Sequence, residues 1–189
     1  MIIAGIDYSM SSPALCIFNS AMTDTGEFGI GGCTFYAVSK RKTIQRSILD
    51  NQFNIIPHVD SMENMPRFVF LANTFVDLMK CANVEHAAIE GYAMGIRGGR
   101  SFNIGENGGI LKSHMYNWGV ELNDYTPSEI KKFATGKGSA KKCQMHDSFV
   151  IETGIDLQAE YGFKTVMNPV DDLVDAYYIA KMLWFDLNT

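Results

Sequence analysis

Long apolar runs are missing from this chain of 189 residues, and none approaches the roughly 18 residues of a membrane span. The opening segment, Met1-Ile2-Ile3-Ala4-Gly5-Ile6-Asp7, has no basic n-region and its apolar stretch stops at a carboxylate. It therefore reads as a strand and not as a signal peptide. The four cysteines, Cys16, Cys33, Cys81 and Cys143, form no C-x-x-C pair, which points away from a zinc site or disulfide framework and toward a reducing, cytoplasmic compartment. His58, His86, His114 and His146 have no metal-ligand spacing and read as structural or surface residues. Also lacking are a Walker loop, a G-x-G-x-x-G turn, internal repeats and low-complexity segments. Net positive charge is missing too, and a total of −5 taken alone argues against a nucleic-acid binder.

What is present is a chain with 47% hydrophobic and 12% aromatic residues, enough for one domain, 1–189, with a full-sized core. Its charge is segregated. Between Arg97 and Lys142 eight basic residues stand against four acids, a net +4, which leaves −9 for the remainder of a chain whose total is −5. A second basic cluster comprises Lys40, Arg41, Lys42 and Arg46. Such separation fits a basic face for phosphates beside an acidic site for metal, although solvated surface charge is the commoner cause of any one cluster.

Hydrophobic periodicity predicts a strand from Ile2 into Asp7, a hairpin partner from Ala14 to Phe18, and a third strand from Cys33 to Val38. Thr43 to Asp60 carries no clear pattern and reads as a long insertion or loop. Met65 to Cys81 has the helical apolar spacing, and Glu85 to Ile89 is a short strand ended by Glu90. A glycine loop follows from Ala93 to Asn103, then a helix from Ile104 to Trp118 whose Gly105, Gly108 and Gly109 favour close packing against another helix or a second subunit. Val120 to Asp124 is a strand. Thr126-Pro127-Ser128-Glu129 is a capping box with proline at the first helical position, and Gly136 to Lys142 separates that short helix from the next. Lysines at a helix start oppose the dipole, which favours a phosphate or acidic partner nearby, with loop solubility as the plainer alternative. Gly154 to Pro169 is weakly patterned.

The last helix, Asn168 to Trp184, is apolar except for Asp171, Asp172 and Asp175. An acidic first turn accounts for Asp171 as a cap and, in part, for Asp172. It fits Asp175 poorly. Residues three apart share a helix face, so Asp172 and Asp175 project together, and strands ending at Asp7 and Glu90 deliver two more carboxylates at the sheet rim where ligands bind. Two carboxylates about 4 Å apart repel by roughly 4 kcal/mol at an effective dielectric near 20, so four converging acids call for cations. For either strand acid alone, an exit into solvent is the simpler account.

In their order, these residues resemble the RuvC-type Holliday-junction resolvases, within the RNase H-like nucleases. Ile3-Ala4-Gly5-Ile6-Asp7 resembles the family's opening strand, Ala88-Ile89-Glu90 its second motif, and Asp172-Leu173-Val174-Asp175-Ala176 its D-x-x-D-A helix. Asn103 to Gly109 resembles the start of its interface helix, and Pro127 to Lys142 its basic segment. The resemblance implies an α/β fold with an RNase H-like mixed sheet flanked by helices, a homodimer, and hydrolysis of opposed strands at a four-way DNA junction. It also implies Mg2+, two ions per site with Mn2+ able to substitute, held by Asp7, Glu90, Asp172 and Asp175. Asp7 would bridge both ions. Lys142 and Lys131 would offset charge on the scissile phosphate. DNA contacts are expected from Arg97, Arg100, Lys137 and Lys141, with Tyr92 and Phe102 available to stack on unpaired bases, though for the aromatics ordinary packing is an equal explanation. Tyr8-Ser9 replaces the family's Pro-Gly, and Tyr92 is the aromatic after the second motif where the family has one three residues beyond the glutamate. Both departures, with the acidic total, point toward viral members and other branched DNA.

Two neighbouring readings stay open: an RNase H-like nuclease for flaps, forks or RNA–DNA hybrids, and a non-catalytic junction-binding protein. An actin-like ATP-binding fold, which also opens on a strand like Gly5-Ile6-Asp7, is disfavoured because 189 residues are too few for two lobes and no phosphate loop is present.

Overall fold

The structure, a computed structural model, describes residues 1–41, 48–49, 51–58, 62–91 and 99–189, with side chains from Ser101 onward in the last stretch. Six strands form one mixed sheet: β1 (Ile2–Asp7), β2 (Ala14–Asn19), β3 (Cys33–Ser39), β4 (Phe53–Pro57), β5 (His86–Glu90) and β6 (Leu122–Tyr125), in spatial order β4-β3-β2-β1-β5-β6. The first three strands are an antiparallel meander. Strands β5 and β6 run parallel to β1, and β4 runs parallel to β3. The crossover between β4 and β5 is made by α1 (Asn64–Cys81), and that between β5 and β6 by α2 (Gly99–Trp118).

Side chains alternate across a strand, and here the alternation sorts the core into two layers. Ala4 and Ile6 of β1, Leu15 and Ile17 of β2, and Ala87 and Ile89 of β5 pack with Leu71, Phe75 and Met79 of α1 and Leu111 and Met115 of α2. Ile3, Ala14, Cys16, Phe18, Phe35 and Ala88 face the other way, onto Leu173, Ala176, Tyr177 and Ala180. Those four belong to α6 (Val170–Asn188), which is flanked by α3 (Pro127–Thr135) and α4 (Lys142–Thr153). Asp7 shares parity with Ile3, and Glu90 with Ala88. The pleat that builds the core therefore aims both acids at α6.

Strand β1 and helix α6 approach so closely that glycine is required between them. A Cβ at Gly5 would collide with backbone atoms of Ala176 and Ala180, coming within 2.8 Å of the Ala180 Cα. The capping box forms as expected: Glu129 Oε2 accepts the Thr126 N–H at 2.8 Å, and Thr126 Oγ1 accepts the Glu129 N–H at 3.3 Å. Gly136 closes α3 at φ +78°, leaving a short turn that carries Lys137 and Lys141 into α4.

Three expectations need correction. The segment Thr43 to Asp60 contains β4; its alternation is hidden by Asn54 and Pro57, and an edge position tolerates that proline. Residues 43–47, 50, 59 and 60 lie outside the described part. Helix α2 starts at Gly99, so the end of the anticipated glycine loop, including Phe102, is helical. Gly105 and Gly109 face open space, and among the described residues no helix of this chain packs on them, whereas Gly108 is buried. In the weakly patterned stretch a one-turn helix, α5 (Leu157–Glu160), is capped by Asp156, whose Oδ1 accepts the Ala159 N–H at 2.9 Å.

Candidate active site

Parallel pairing of β1 with β5 in the register Ile6↔Ile89 places Asp7 and Glu90 side by side at the C-terminal ends of neighbouring strands. Helix α6 lays Asp172 and Asp175 against them, and α3 and α4 supply Lys131 and Lys142. These six side chains, with Asp171 and Met145, line one cleft of about 240 Å³. All six residues expected to serve catalysis are thus brought together.

Burial governs the electrostatics. Asp7, Asp171 and Asp172 are buried. Desolvation raises the Asp7 carboxyl well above the ordinary aspartate value, and the charges of Asp172, Glu90, Asp175 and Asp171 push it further. Asp172 rises to about 8, first from burial and then from Asp171, while Lys142 and Asn168 pull it down. Asp175 rises to about 7 through burial, Glu90 and Asp171, with Lys131 and Lys142 opposing. Glu90 is raised by desolvation against the lowering pull of the same two lysines. Partial desolvation lowers Lys142, yet its hydrogen bond to Asp171 and the surrounding acids leave it raised overall. At neutral pH Asp172 and Asp175 are held near the edge of ionisation.

Asp171 does not cap α6. The cap position is Pro169, with no side-chain hydrogen bond to the helix, and the Asp171 carboxylate turns to α4, where Oδ2 accepts from Lys142 Nζ. A local rule for helix starts could not register a partner 29 residues away in sequence. Asn168 was also not anticipated. Its Nδ2 donates to Asp172 Oδ2 and, at 2.8 Å, to Ser12 Oγ, tying α6 to the β1–β2 turn. Its place four residues before Asp172, on the turn into the helix, is the one cue the sequence held.

The expected DNA contacts are distributed differently. Tyr92 and Arg97 lie outside the described residues, as does the side chain of Arg100. Phe102 is 75% exposed on α2, and Lys137 and Lys141 are exposed on the α3–α4 turn. Tyr8, at the departure from Pro-Gly, packs its ring on Phe75 at 5.9 Å between centroids. Of the second basic cluster, Lys42 and Arg46 lie outside the described residues, whereas Arg41 sits over the Phe163 ring at 5.5 Å. His146 is buried, with Nε2 accepting the Gln158 N–H at 3.4 Å, in keeping with a structural role.

The cleft's five carboxylates offer oxygen donors, and among the described residues Asp171 Oδ1 is buried without a hydrogen-bond partner. The oxygen donors fit a hard divalent cation. Among the described residues no three such side chains converge enough to chelate an ion alone. Magnesium does not need that, since it is commonly held by one or two carboxylates together with waters and substrate phosphate oxygens.

The architecture defines an RNase H-like protein. It matches RuvC of Thermus thermophilus at a TM-score of 0.61 and 15% identity, over 100% of this chain and 96% of that one. It matches the yeast mitochondrial Holliday junction resolvase at 0.56 and 15%, over 96% and 78%, and the fowlpox virus resolvase, solved with Holliday junction DNA, at 0.52 and 18%, over 100% of both. The family is narrower than the fold. The model of crossover junction endodeoxyribonuclease RuvC matches residues 29–162, and RuvC of Ruminiclostridium cellulolyticum is 26% identical over 147 residues, 78% of this chain and 82% of that protein. The chain belongs to the RuvC family. The stretch matched by the family model holds Glu90, Lys131 and Lys142, while Asp7, Asp172 and Asp175 lie outside it.

Proposed function

We propose that this protein is a metal-dependent endonuclease that hydrolyses phosphodiesters in four-way junctions or other branched DNA, with Asp7, Glu90, Asp172 and Asp175 as cation ligands. The observation that carries the reading is the meeting of those four acids with Lys131 and Lys142 in a single cleft on a chain of the RuvC family. Mg2+ is the proposed cofactor, two ions per site, with Mn2+ as substitute. Bound there, the ions would lower the pKa of an attacking water and neutralise the leaving oxygen of an in-line displacement.

The chain's own groups account for the rest. Asp7, Asp172 and Asp175 are poised to release protons when a cation arrives, because burial and mutual repulsion hold their carboxyls high. Asn168 fixes the Asp172 oxygen that it contacts. Lys142 and Lys131 oppose the negative charge that develops on the phosphate. Exposed Phe102, Lys137 and Lys141, with Tyr92, Arg97 and Arg100, are the proposed DNA contacts. The open face of α2, where Gly105 and Gly109 leave room and Tyr116 is 84% exposed, supports a homodimer of whole chains, each one domain.

A labelled four-way junction incubated with protein and Mg2+ tests this. Cleavage is expected in opposed strands and is expected to fall at least roughly a thousandfold in Asp7→Asn, where a shared charged ligand is lost. Undiminished cutting by that variant would remove Asp7 from the site. Flaps, forks and RNA–DNA hybrids run alongside decide substrate range. Junction binding without cleavage in either Mg2+ or Mn2+ would leave a binding protein only.

A further inference from the structure

We propose that Asp171 is a positioning residue, whose carboxylate holds the Lys142 ammonium over the acidic cleft so that the cation is in place for the scissile phosphate. The inference rests on the nuclease reading above and assigns a role to a fifth acid outside the proposed ligand set. Asp171 is 3% exposed, whereas the side chain of Lys142 is 63% exposed. That asymmetry fixes which partner holds which. A lysine on a flexible four-carbon stem at the first position of α4 gains little from staying at a surface and would otherwise sample solvent. The carboxylate cannot leave, because α6 buries it.

A structural purpose explains the pair poorly. A fifth carboxylate, buried and lining the same cleft as Asp7, Asp172 and Asp175, adds like charge beside theirs, which works against the fold. Buried ion pairs are weak stabilisers compared with apolar packing. What the pair does provide is a fixed direction for the lysine. Lys142 lines the cleft together with the four proposed ligands, and its side chain is anchored there by one oxygen, Asp171 Oδ2. The other oxygen, Oδ1, is buried without a hydrogen-bond partner among the described residues, so they engage the carboxylate by no other hydrogen bond.

The test compares Asp171→Asn, Asp171→Glu, Lys142→Met and the double variant Asp171→Asn/Lys142→Met in the full chain. Single-turnover cleavage of a labelled junction, junction binding in EDTA, Mn2+ binding by calorimetry, and NMR of the lysine ammonium groups are measured. Asp171→Asn is expected to slow cleavage roughly tenfold, as loss of an orienting partner does, with junction affinity unchanged. Asp171→Glu should recover part of the rate. In the Lys142→Met background Asp171→Asn should add nothing, since the residue acts through the lysine. The ordered Lys142 ammonium signal of the metal-free protein should disappear in Asp171→Asn. Equal losses in both backgrounds, an unchanged or faster rate, or the absence of an ordered ammonium signal would overturn the proposal. Weakened Mn2+ binding that persists in the Lys142→Met background would make Asp171 a cation ligand instead. If the parent chain does not cut although Asp171 orders Lys142, it is the nuclease reading that falls, and the role assigned to the pair with it.

Discussion

Asp172 combines two demands that oppose each other. The residue sits where cation binding needs a carboxylate, yet burial and the Asp171 charge lift it to about 8, so its ionised form is disfavoured in the metal-free fold. Asn168 relieves part of the strain with its hydrogen bond to Oδ2 but does not cancel it. Replacing Asp172 with asparagine removes the ionisation and keeps the shape. The variant should therefore melt higher than the parent in EDTA at about pH 8, by on the order of 5 °C, which ~2 kcal/mol produces in a domain of this size. It should also lose cleavage. Thermal denaturation of both proteins checks this, and a lower melting temperature for the variant would show that the carboxylate stabilises the empty site.

Among the elements, the β1–α6 contact does most to define the cleft, because it sets the separation between Asp7 and the helix acids. Gly5 permits it. Gly5→Ala should cost at least about 3 kcal/mol, above the usual range for overpacking, since the clash is with helix backbone and not with a side chain that can rotate. Denaturant unfolding measures the loss, and cleavage should fall with it as β1 shifts from α6. A variant as stable as the parent would mean that the two elements have room to separate. Much of this region is legible from the sequence alone. Strand β1 ends where an apolar run meets Asp7, α3 announces itself by Thr126, Pro127 and Glu129, and Asp172 and Asp175 are recognisable because acids three apart interrupt an apolar helix. Other parts depend on distant partners. Strand β4 is a strand because β3 pairs with it, and nothing in Phe53-Asn54-Ile55-Ile56-Pro57 separates it from a loop. The pairing of Asp171 with Lys142 is equally non-local, and the nearby rule for helix caps gave the wrong role.

For the whole molecule, the clustered acids make stability a function of pH and of cations together. Asp172 and Asp175 titrate at about 8 and about 7 in the folded protein against an ordinary value of 3.8, and Asp7 and Glu90 are raised as well. Over that interval the folded chain binds more protons than the unfolded one, so the free energy of unfolding decreases as pH rises. The contribution of the protonated carboxyls is complete below 3.8 and is lost as pH passes through about 7 to 8. Measured in EDTA, the melting temperature should accordingly fall between about pH 5 and about pH 8.5. Saturating Mg2+ binds the folded, ionised cluster in preference to the unfolded chain and should recover most of that fall at the alkaline end, with protons released on binding. Asp7→Asn should flatten both responses. A melting temperature that rises with pH in EDTA, or is indifferent to Mg2+ at the alkaline end, would show that these acids do not act as one cation-dependent group.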